Sequence, residues 1–281
     1  MGQPASKKEA TLPALLDLAR GVLFESNPET KAAKSLTAAA LILGPSPLTL
    51  GGLTAPPDRP GRPEKPILLS PREMPRRRKA QSEDGRKALL HALAHIELNA
   101  IDLAWDIIPR FISEIEGARQ YEFAQDWARV ASDESRHFLM LQERLRAYSI
   151  GYGELPAHDG LWETATLTAN DLLARLALVP LLHEARGLDV TPGMVIQLAA
   201  AKDEDSAVTI QKIHDDEISH VAVGQKWFSA LCRQRGLDPR ASWQGYVETL
   251  FTGSLKPPFN HESRNKAGFP SDWYEPLAQL D

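Results

Sequence analysis

The sequence predicts an all-α protein, an antiparallel four-helix bundle with a helical, proline-rich extension before it and a tail wrapped round it. Three observations carry the prediction. Residues 82–235 hold four long stretches in which apolar side chains recur at helical spacing. Their lengths, with a longer connection between the second and third, suit two antiparallel helical hairpins. At 281 residues the chain is also long enough for one large domain with appendages.

The expected division is an N-terminal helical segment and strap at 1–81, the bundle at 82–235 and the tail at 236–281. Leu12, Leu15, Leu16, Ala19, Leu23 and Phe24 share helical spacing, and Pro28 with residues 30–40 predicts a second short helix ending before Pro45. From Pro45 to Pro75 lie nine of the 21 prolines, with Gly51, Gly52 and Gly61, which excludes a regular helix or central strand and predicts an extended strap. The strap runs into Arg76, Arg77, Arg78 and Lys79, read as a solvated turn, with contact to phosphate, RNA or an acidic partner as the alternative.

Ser82, Glu83 and Asp84 supply a cap and negative charge where a helix start leaves free amides, so the first long helix is expected over 82–112, bent at Pro109. The second is expected over 116–149. A glycine-rich connection, 151–160, leads to the third over 164–186, after which Pro192 is expected to open a separate short helix at 193–200. The fourth runs over 203–234 and stops at Gly236 and Pro239. The tail begins with an amphipathic turn or two from Trp243 and becomes irregular around Pro257, Pro258, Gly268 and Pro270. Phe259, Phe269, Trp273, Tyr274 and Leu277 make it too apolar for a solvated end, so it is expected to wrap the bundle with the strap, an arrangement that could close one mouth of the metal cavity.

Composition narrows the chemistry. Cys232 is the sole cysteine, which excludes an intrachain disulfide, a zinc ribbon and a thiolate-held iron–sulfur cluster. Any metal must be held by carboxylates and imidazoles. With 32 basic and 37 acidic residues the net charge is -5, unlike the basic footprint of a general nucleic-acid binder. Residues 1–11 are not followed by an apolar stretch suited to a signal peptide, and no segment offers about 18 uninterrupted apolar residues, so a cytoplasmic protein without a membrane contact is expected.

The second long stretch contains Asp133-Glu134-Ser135-Arg136-His137 and the fourth Asp216-Glu217-Ile218-Ser219-His220. Residues three apart share a helix face, so Glu134 with His137, and Glu217 with His220, can each aim a carboxylate and an imidazole at one metal. One pair alone is common on solvated helices. The other two stretches each add a carboxylate in an apolar setting, Glu97 and Glu184, which precede Glu134 by 37 residues and Glu217 by 33. The order Glu, Glu-x-x-His, Glu, Glu-x-x-His is the ligand arrangement by which a four-helix bundle holds two iron or manganese ions. Four buried carboxylates would repel one another without such cations.

Supporting residues are expected nearby. His214, one turn before Glu217, is placed to hydrogen-bond a liganding carboxylate, while Asp133 and Asp216 are placed to orient imidazoles from a neighbouring helix. Trp105, Trp127, Tyr121 and Tyr148 read as packing. Arg136 reads either as a neutraliser of excess carboxylate charge or as a surface residue. Asn260, His261 and Arg264 in the tail are candidates for contact with substrate or with the ligands.

Nearly the whole chain resembles the ferritin-like superfamily, and more closely the DUF455 family of uncharacterised bacterial proteins. The resemblance lies in Pro60-Gly61-Arg62-Pro63-Glu64-Lys65-Pro66, Pro71-Arg72-Glu73-Met74-Pro75-Arg76-Arg77, His91-Ala92-Leu93-Ala94-His95-Ile96-Glu97, Asp133-Glu134-Ser135-Arg136-His137, Lys256-Pro257-Pro258-Phe259-Asn260 and Ala267-Gly268-Phe269. It implies that Glu97, Glu134, His137, Glu184, Glu217 and His220 are both the metal ligands and the catalytic set. The expected function is a dinuclear, diiron, oxygen-activating oxidase or hydroxylase, with Mn/Fe or two Mn as alternative metals. Its partners would be a small-molecule substrate, dioxygen and an external electron donor, since no nucleotide or flavin motif is visible; a homodimer is allowed. Metal storage or peroxide detoxification, a tRNA-modifying hydroxylase, and a nonenzymatic metal-stabilised scaffold or sensor are the alternatives.

Overall fold

A computed structural model of the chain describes residues 14–75 and 80–278. The basic run of Arg76, Arg77, Arg78 and Lys79 lies outside the described residues, as do residues 1–13. Among the described residues the regular structure is helical, with isolated β-bridges only. None of these helices is long and apolar enough to cross a membrane.

Two short helices open the fold, α1 (Leu15–Leu23) and α2 (Pro28–Leu43). Asn27 caps α2 by accepting from the Thr30 amide at 2.9 Å, and Pro28 occupies the first turn, where its missing N–H costs nothing. Phe24, expected on the apolar face of α1, lies just past its end and is exposed. Three long helices follow the predicted spans: α3 (Glu83–Phe111), α4 (Gly117–Ala147) and, later, α8 (Glu204–Gln234). Ser82 caps α3 through the Gly85 amide at 3.1 Å, and Asp203 caps α8 through the Ser206 amide at 3.3 Å.

The region between α4 and α8 departs from the prediction. The helix expected over 164–186 is two helices, α5 (Gly160–Leu167) and α6 (Leu172–Leu178), separated by a turn. Asp171 restarts the helix there, its Oδ1 accepting from the amides of Leu173 at 2.9 Å and Ala174 at 3.2 Å. Conversely, no separate helix opens at Pro192. The chain continues from α6 through a π-helical turn, Val179–Glu184, into α7 (Ala185–Ala200), and Pro192 sits inside α7. A proline at that position cannot bond the carbonyl four residues back. The Leu188 carbonyl accepts instead from Asn260 Nδ2 at 3.2 Å, so the tail repairs the helix.

The α3 helix is buried on all sides from Leu98 to Phe111 apart from Arg110, which identifies it as the central element. It packs against α1, α2, α4 and α5; α4 reaches on to α2 and α8, and α8 lies against α6, the π-helical turn and α7. One apolar core runs from Leu15 in α1 to Tyr274 in the tail. The tail adds α9 (Pro239–Leu250), α10 (His261–Lys266) and α11 (Ser271–Tyr274), which pack on α6, α7 and α8 and on one another.

Buried charges tie the irregular segments to this frame. Asp102 on α3 pairs with Lys31 of α2 and lies 3.0 Å from Arg62 Nη2 of the strap, while Lys31 Nζ also donates to the Gly61 carbonyl at 2.9 Å. Asp106, one turn on, accepts from Arg110 and from Arg175 of α6, both at 2.7 Å. In the tail, Arg264 grips Asp189 of α7 with two bonds of 2.8 and 2.7 Å. Arg264 is therefore a buried structural anchor and Asn260, half-buried, a second one.

Gly224 on α8 faces Pro180 in the π-helical turn, and a Cβ there would lie 2.4 Å from the Pro180 Cβ. The two backbones approach this closely only because the glycine has no side chain. Gly224→Ala should destabilise the protein by about 1–3 kcal/mol, the usual cost of overpacking. A urea midpoint equal to the wild type would contradict the contact.

Candidate metal centre

Four buried side chains, Glu97 of α3, Glu134 and His137 of α4 and Glu217 of α8, offer ligand atoms that all lie within 4.8 Å of one another. His220 joins them, its Nδ1 being 3.1 Å from Glu134 Oε1 and 3.5 Å from Glu217 Oε2. Glu184 ends the π-helical turn, and its inaccessible Oε2 is close enough for its charge to act on that of Glu217. The six sequence-predicted residues are thus brought together by four helical segments. A π turn, which inserts a residue into the helical repeat, delivers Glu184.

Glu134 occupies the middle. Its Oε2 lies 3.3 Å from His137 Nδ1, and its Oε1 faces His220. His137 Nδ1 is also 3.2 Å from Glu97 Oε2. The two imidazole centroids are 5.8 Å apart. The centre therefore has two lobes, Glu97 with His137 and Glu217 with His220, joined by one carboxylate that offers an oxygen to each.

The far sides of the imidazoles are held reciprocally. His137 Nε2 donates to Asp216 Oδ2 of α8 at 3.2 Å, and His220 Nε2 donates to Asp133 Oδ2 of α4 at 3.3 Å. An ionised carboxylate only accepts, so both Nε2 atoms carry hydrogens and both Nδ1 atoms are directed at the glutamates. Each aspartate is also tied to a cation on its own helix: Lys212 Nζ lies 2.6 Å from Asp216 Oδ1, and Arg136 pairs with Asp133. Arg136 thus acts on the centre through Asp133.

Electrostatics describe a site short of positive charge. Burial, reinforced by neighbouring glutamates, raises the carboxyls of Glu97, Glu184 and Glu217 above the usual carboxylate range. Burial opposes charge on His137 and His220 too, yet the carboxylates around them win and raise both imidazoles well above 6.5. Glu134 is held low despite burial, chiefly by His220, and Asp216 is drawn down to about 2 by the hydrogen bond from His137. Without a cation the cluster must hold protons.

The donor set fits a metal. Glu134 Oε1, Glu184 Oε2, Glu217 Oε2 and His220 Nδ1 are inaccessible yet make no aligned hydrogen bond, the contacts of Nδ1 with the Glu134 and Glu217 oxygens being ion pairs only. Buried polar atoms are rarely left so, and four converging on one place are what a divalent cation would satisfy. The all-oxygen and imidazole composition suits first-row metals such as iron and manganese.

Other predicted residues lie elsewhere. His214 does not reach a liganding carboxylate: its Nδ1 meets Thr191 Oγ1 at 2.6 Å and its Nε2 meets Ser263 Oγ at 3.1 Å. One helical turn before Glu217 puts it on the side of α8 that faces α7 and α10. His261 is bonded to Tyr274 at 2.9 Å. Trp105 and Trp127 are buried in the core, and Tyr148 donates to Asp203 at 2.6 Å. The buried Asn99, Asp102 and Asp106 were not anticipated. Their recurrence at helical spacing in the apolar α3 was the available signal that partners had to come from outside the helix.

Comparison with known proteins places the chain in a family. The model of DUF455, described as a protein of unknown function, matches residues 24–275, and the chain belongs to that family. An uncharacterized protein of Haemophilus influenzae is 40% identical over 222 residues, covering 77% of this chain and 77% of its relative. No solved structure matches the chain.

The pKa directions fix how metal-free stability varies with pH. Glu97, Glu184, Glu217, His137 and His220 are raised in the fold, so their stabilisation is complete below the unfolded values of 4.5 and 6.5 and is lost as pH rises through the folded ones. Glu134 and Asp216 are lowered and lose stability only as pH falls below about 4.5 and 3.8. His91, His95 and His183, pushed down to about 4 by burial, likewise act only below 6.5. From pH 6.5 to 8, below the ordinary values of 9.0 for Cys232 and 10.5 for Lys31, the raised set governs, so chelator-treated protein should melt at progressively lower temperature. Bound metal replaces those protons, and calorimetry in buffers of different ionisation enthalpy should record proton release. A melting temperature that climbs over this window would overturn the assignment.

The aspartates have a separate readout. Asp133→Asn and Asp216→Asn should each weaken divalent-metal affinity by about 10–100-fold while leaving the far-ultraviolet circular dichroism unchanged. Wild-type affinity in both would show that the imidazoles need no such support.

Proposed function

We propose that this DUF455 member is a ferritin-like four-helix protein that binds two iron ions and uses dioxygen to oxidise or hydroxylate a small organic substrate. The observation that carries the reading is the doubled Asp-Glu-x-x-His arrangement of α4 and α8, with Glu97 and Glu184 completing it and four inaccessible side-chain atoms without an aligned hydrogen bond at its centre. Glu97, Glu134, His137, Glu184, Glu217 and His220 would hold the metals, which when bound supply oxygen activation and redox capacity. Mn/Fe or two Mn remain the alternative occupants.

The chain's own residues have distinct tasks in this reading. Glu134, with one oxygen toward each imidazole, sets the spacing of the two lobes. Asp133 and Asp216 keep Nε2 protonated and Nδ1 free for coordination. The raised carboxyl of Glu184 is suited to hold a proton at Oε2 when the charge of the centre changes. Burial of Glu97, Glu134, His137, Glu217 and His220 among α3, α4 and α8 excludes bulk water from their side chains. Electrons for repeated turnover would come from an external donor.

The test is metal content and optical spectroscopy of the purified protein and of the Glu134→Ala and His220→Ala variants, before and after anaerobic reduction and exposure to oxygen. The expected result is about two iron ions per chain, as a carboxylate-bridged bundle site requires, and an oxygen-dependent spectral change absent from both variants. Stoichiometric manganese would favour peroxide removal instead. A folded protein that takes up no specific metal would overturn the reading in favour of a scaffold.

A further inference from the structure

A cleft of about 280 Å³ lies between the π-helical turn and the segment that follows α9. Leu182 and His183, which immediately precede Glu184, form one wall with Arg186; Phe251, Ser254, Leu255, Lys256 and Phe259 form the other. The turn that delivers Glu184 to the metal centre is therefore also a wall of this cleft.

Its lining has a definite chemistry. Leu182, Phe251, Leu255 and Phe259 supply an apolar surface, and the His183 ring stands edge-on to Phe251 at 6.4 Å. The ionised groups in the lining are cations, Arg186 and Lys256, in a chain whose net charge is -5. Among the described residues no carboxylate lines the cleft. Asp189, 3.4 Å from Arg186, lies behind it and is engaged by the two bonds from Arg264. Arg186 Nη1 donates to the Lys256 carbonyl at 2.7 Å and the Pro258 carbonyl at 3.2 Å, which pins the second wall to the first. These bonds fall on one nitrogen, leaving Nε and Nη2 of the planar fork to meet a carboxylate.

We propose that this cleft binds a small organic acid, its carboxylate held by Arg186 and its apolar body lying on Leu182, Phe251, Leu255 and Phe259. The volume is at the small end of ligand pockets, which run from about 300 to 1,000 Å³, so the ligand is of metabolite size. Binding follows from the cleft alone; the acid's role as the substrate to be oxidised rests on the metal reading above.

The experiment measures binding of 3-phenylpropionate and octanoate by calorimetry, each against its neutral amide, to the full chain in metal-loaded and chelator-treated form. At least one acid should bind, with its amide at least tenfold weaker. Ser254→Trp, a substitution in a loop position that fills the cleft without altering its charge, should abolish binding while the melting temperature stays near wild type. Arg186→Gln should bring acid and amide within threefold of each other. Should Ser254→Trp fail to fold, Arg186→Gln and the acid-to-amide ratio still decide the matter. Acid and amide binding equally to the wild type, binding that survives Ser254→Trp, or no acid binding at all would each overturn the proposal. Glu134→Ala separates the two readings. Acid binding retained there, with no metal taken up by the wild type, would sink the metal reading alone, whereas metal uptake without acid binding would sink the cleft alone.

Discussion

Three buried glutamates, a fourth whose Oε2 is inaccessible and two buried imidazoles set the constraint on which the rest of this structure depends. Like charges removed from water raise one another's cost steeply, and the raised carboxyls of Glu97, Glu184 and Glu217 are the consequence. A hydrophobic substitute would pack more cheaply. The fold nevertheless gathers all six side chains and leaves four of their atoms without an aligned hydrogen bond, so a cation, were one bound there, would help to hold α3, α4, the π-helical turn and α8 together.

Support for that centre is distributed across its two halves. Asp133 of α4 serves the imidazole of α8, and Asp216 of α8 serves that of α4, so the two helices cannot slide or rotate without breaking both bonds. Arg136 and Lys212 pair with the two aspartates from the outside. Gly224 and Pro180 bring the π-helical turn against α8 closely enough for Glu184 to complete the set.

The extensions belong to the same framework. Lys31, Arg62 and Arg175 reach the buried carboxylates of α3 from three different segments, and Arg264 does the same for Asp189. Such buried pairs add little net stability, because desolvation offsets their attraction, but losing one partner strands the other's charge. They act as registers that decide where the strap and tail lie. The tail's Asn260 also supplies the bond that lets α7 pass through Pro192.

Much of this was legible in the residues. The spans of α3, α4 and α8 follow from apolar periodicity and from caps such as Ser82 and Asp203, because both are local properties of a helix. The convergence of Glu97, Glu134, His137, Glu184, Glu217 and His220 was legible because spacing of three on a helix and matched heights on antiparallel helices are one-dimensional patterns. The division at Asp171 and the continuity through Pro192 were not. Periodicity cannot register a cap that restarts a helix, nor a partner 72 residues away that satisfies the Leu188 carbonyl. His214 was misplaced for the same reason, since one turn of helix says which side a ring leaves from but not that Thr191 and Ser263 wait there. The sequence by itself determined the long helices α3, α4 and α8 and the gathering of the six Glu and His side chains. Tertiary structure alone decided which aspartate serves which imidazole, how the buried cations are partnered, and that a cationic, apolar cleft opens beside Glu184, because each depends on side chains brought together from distant segments.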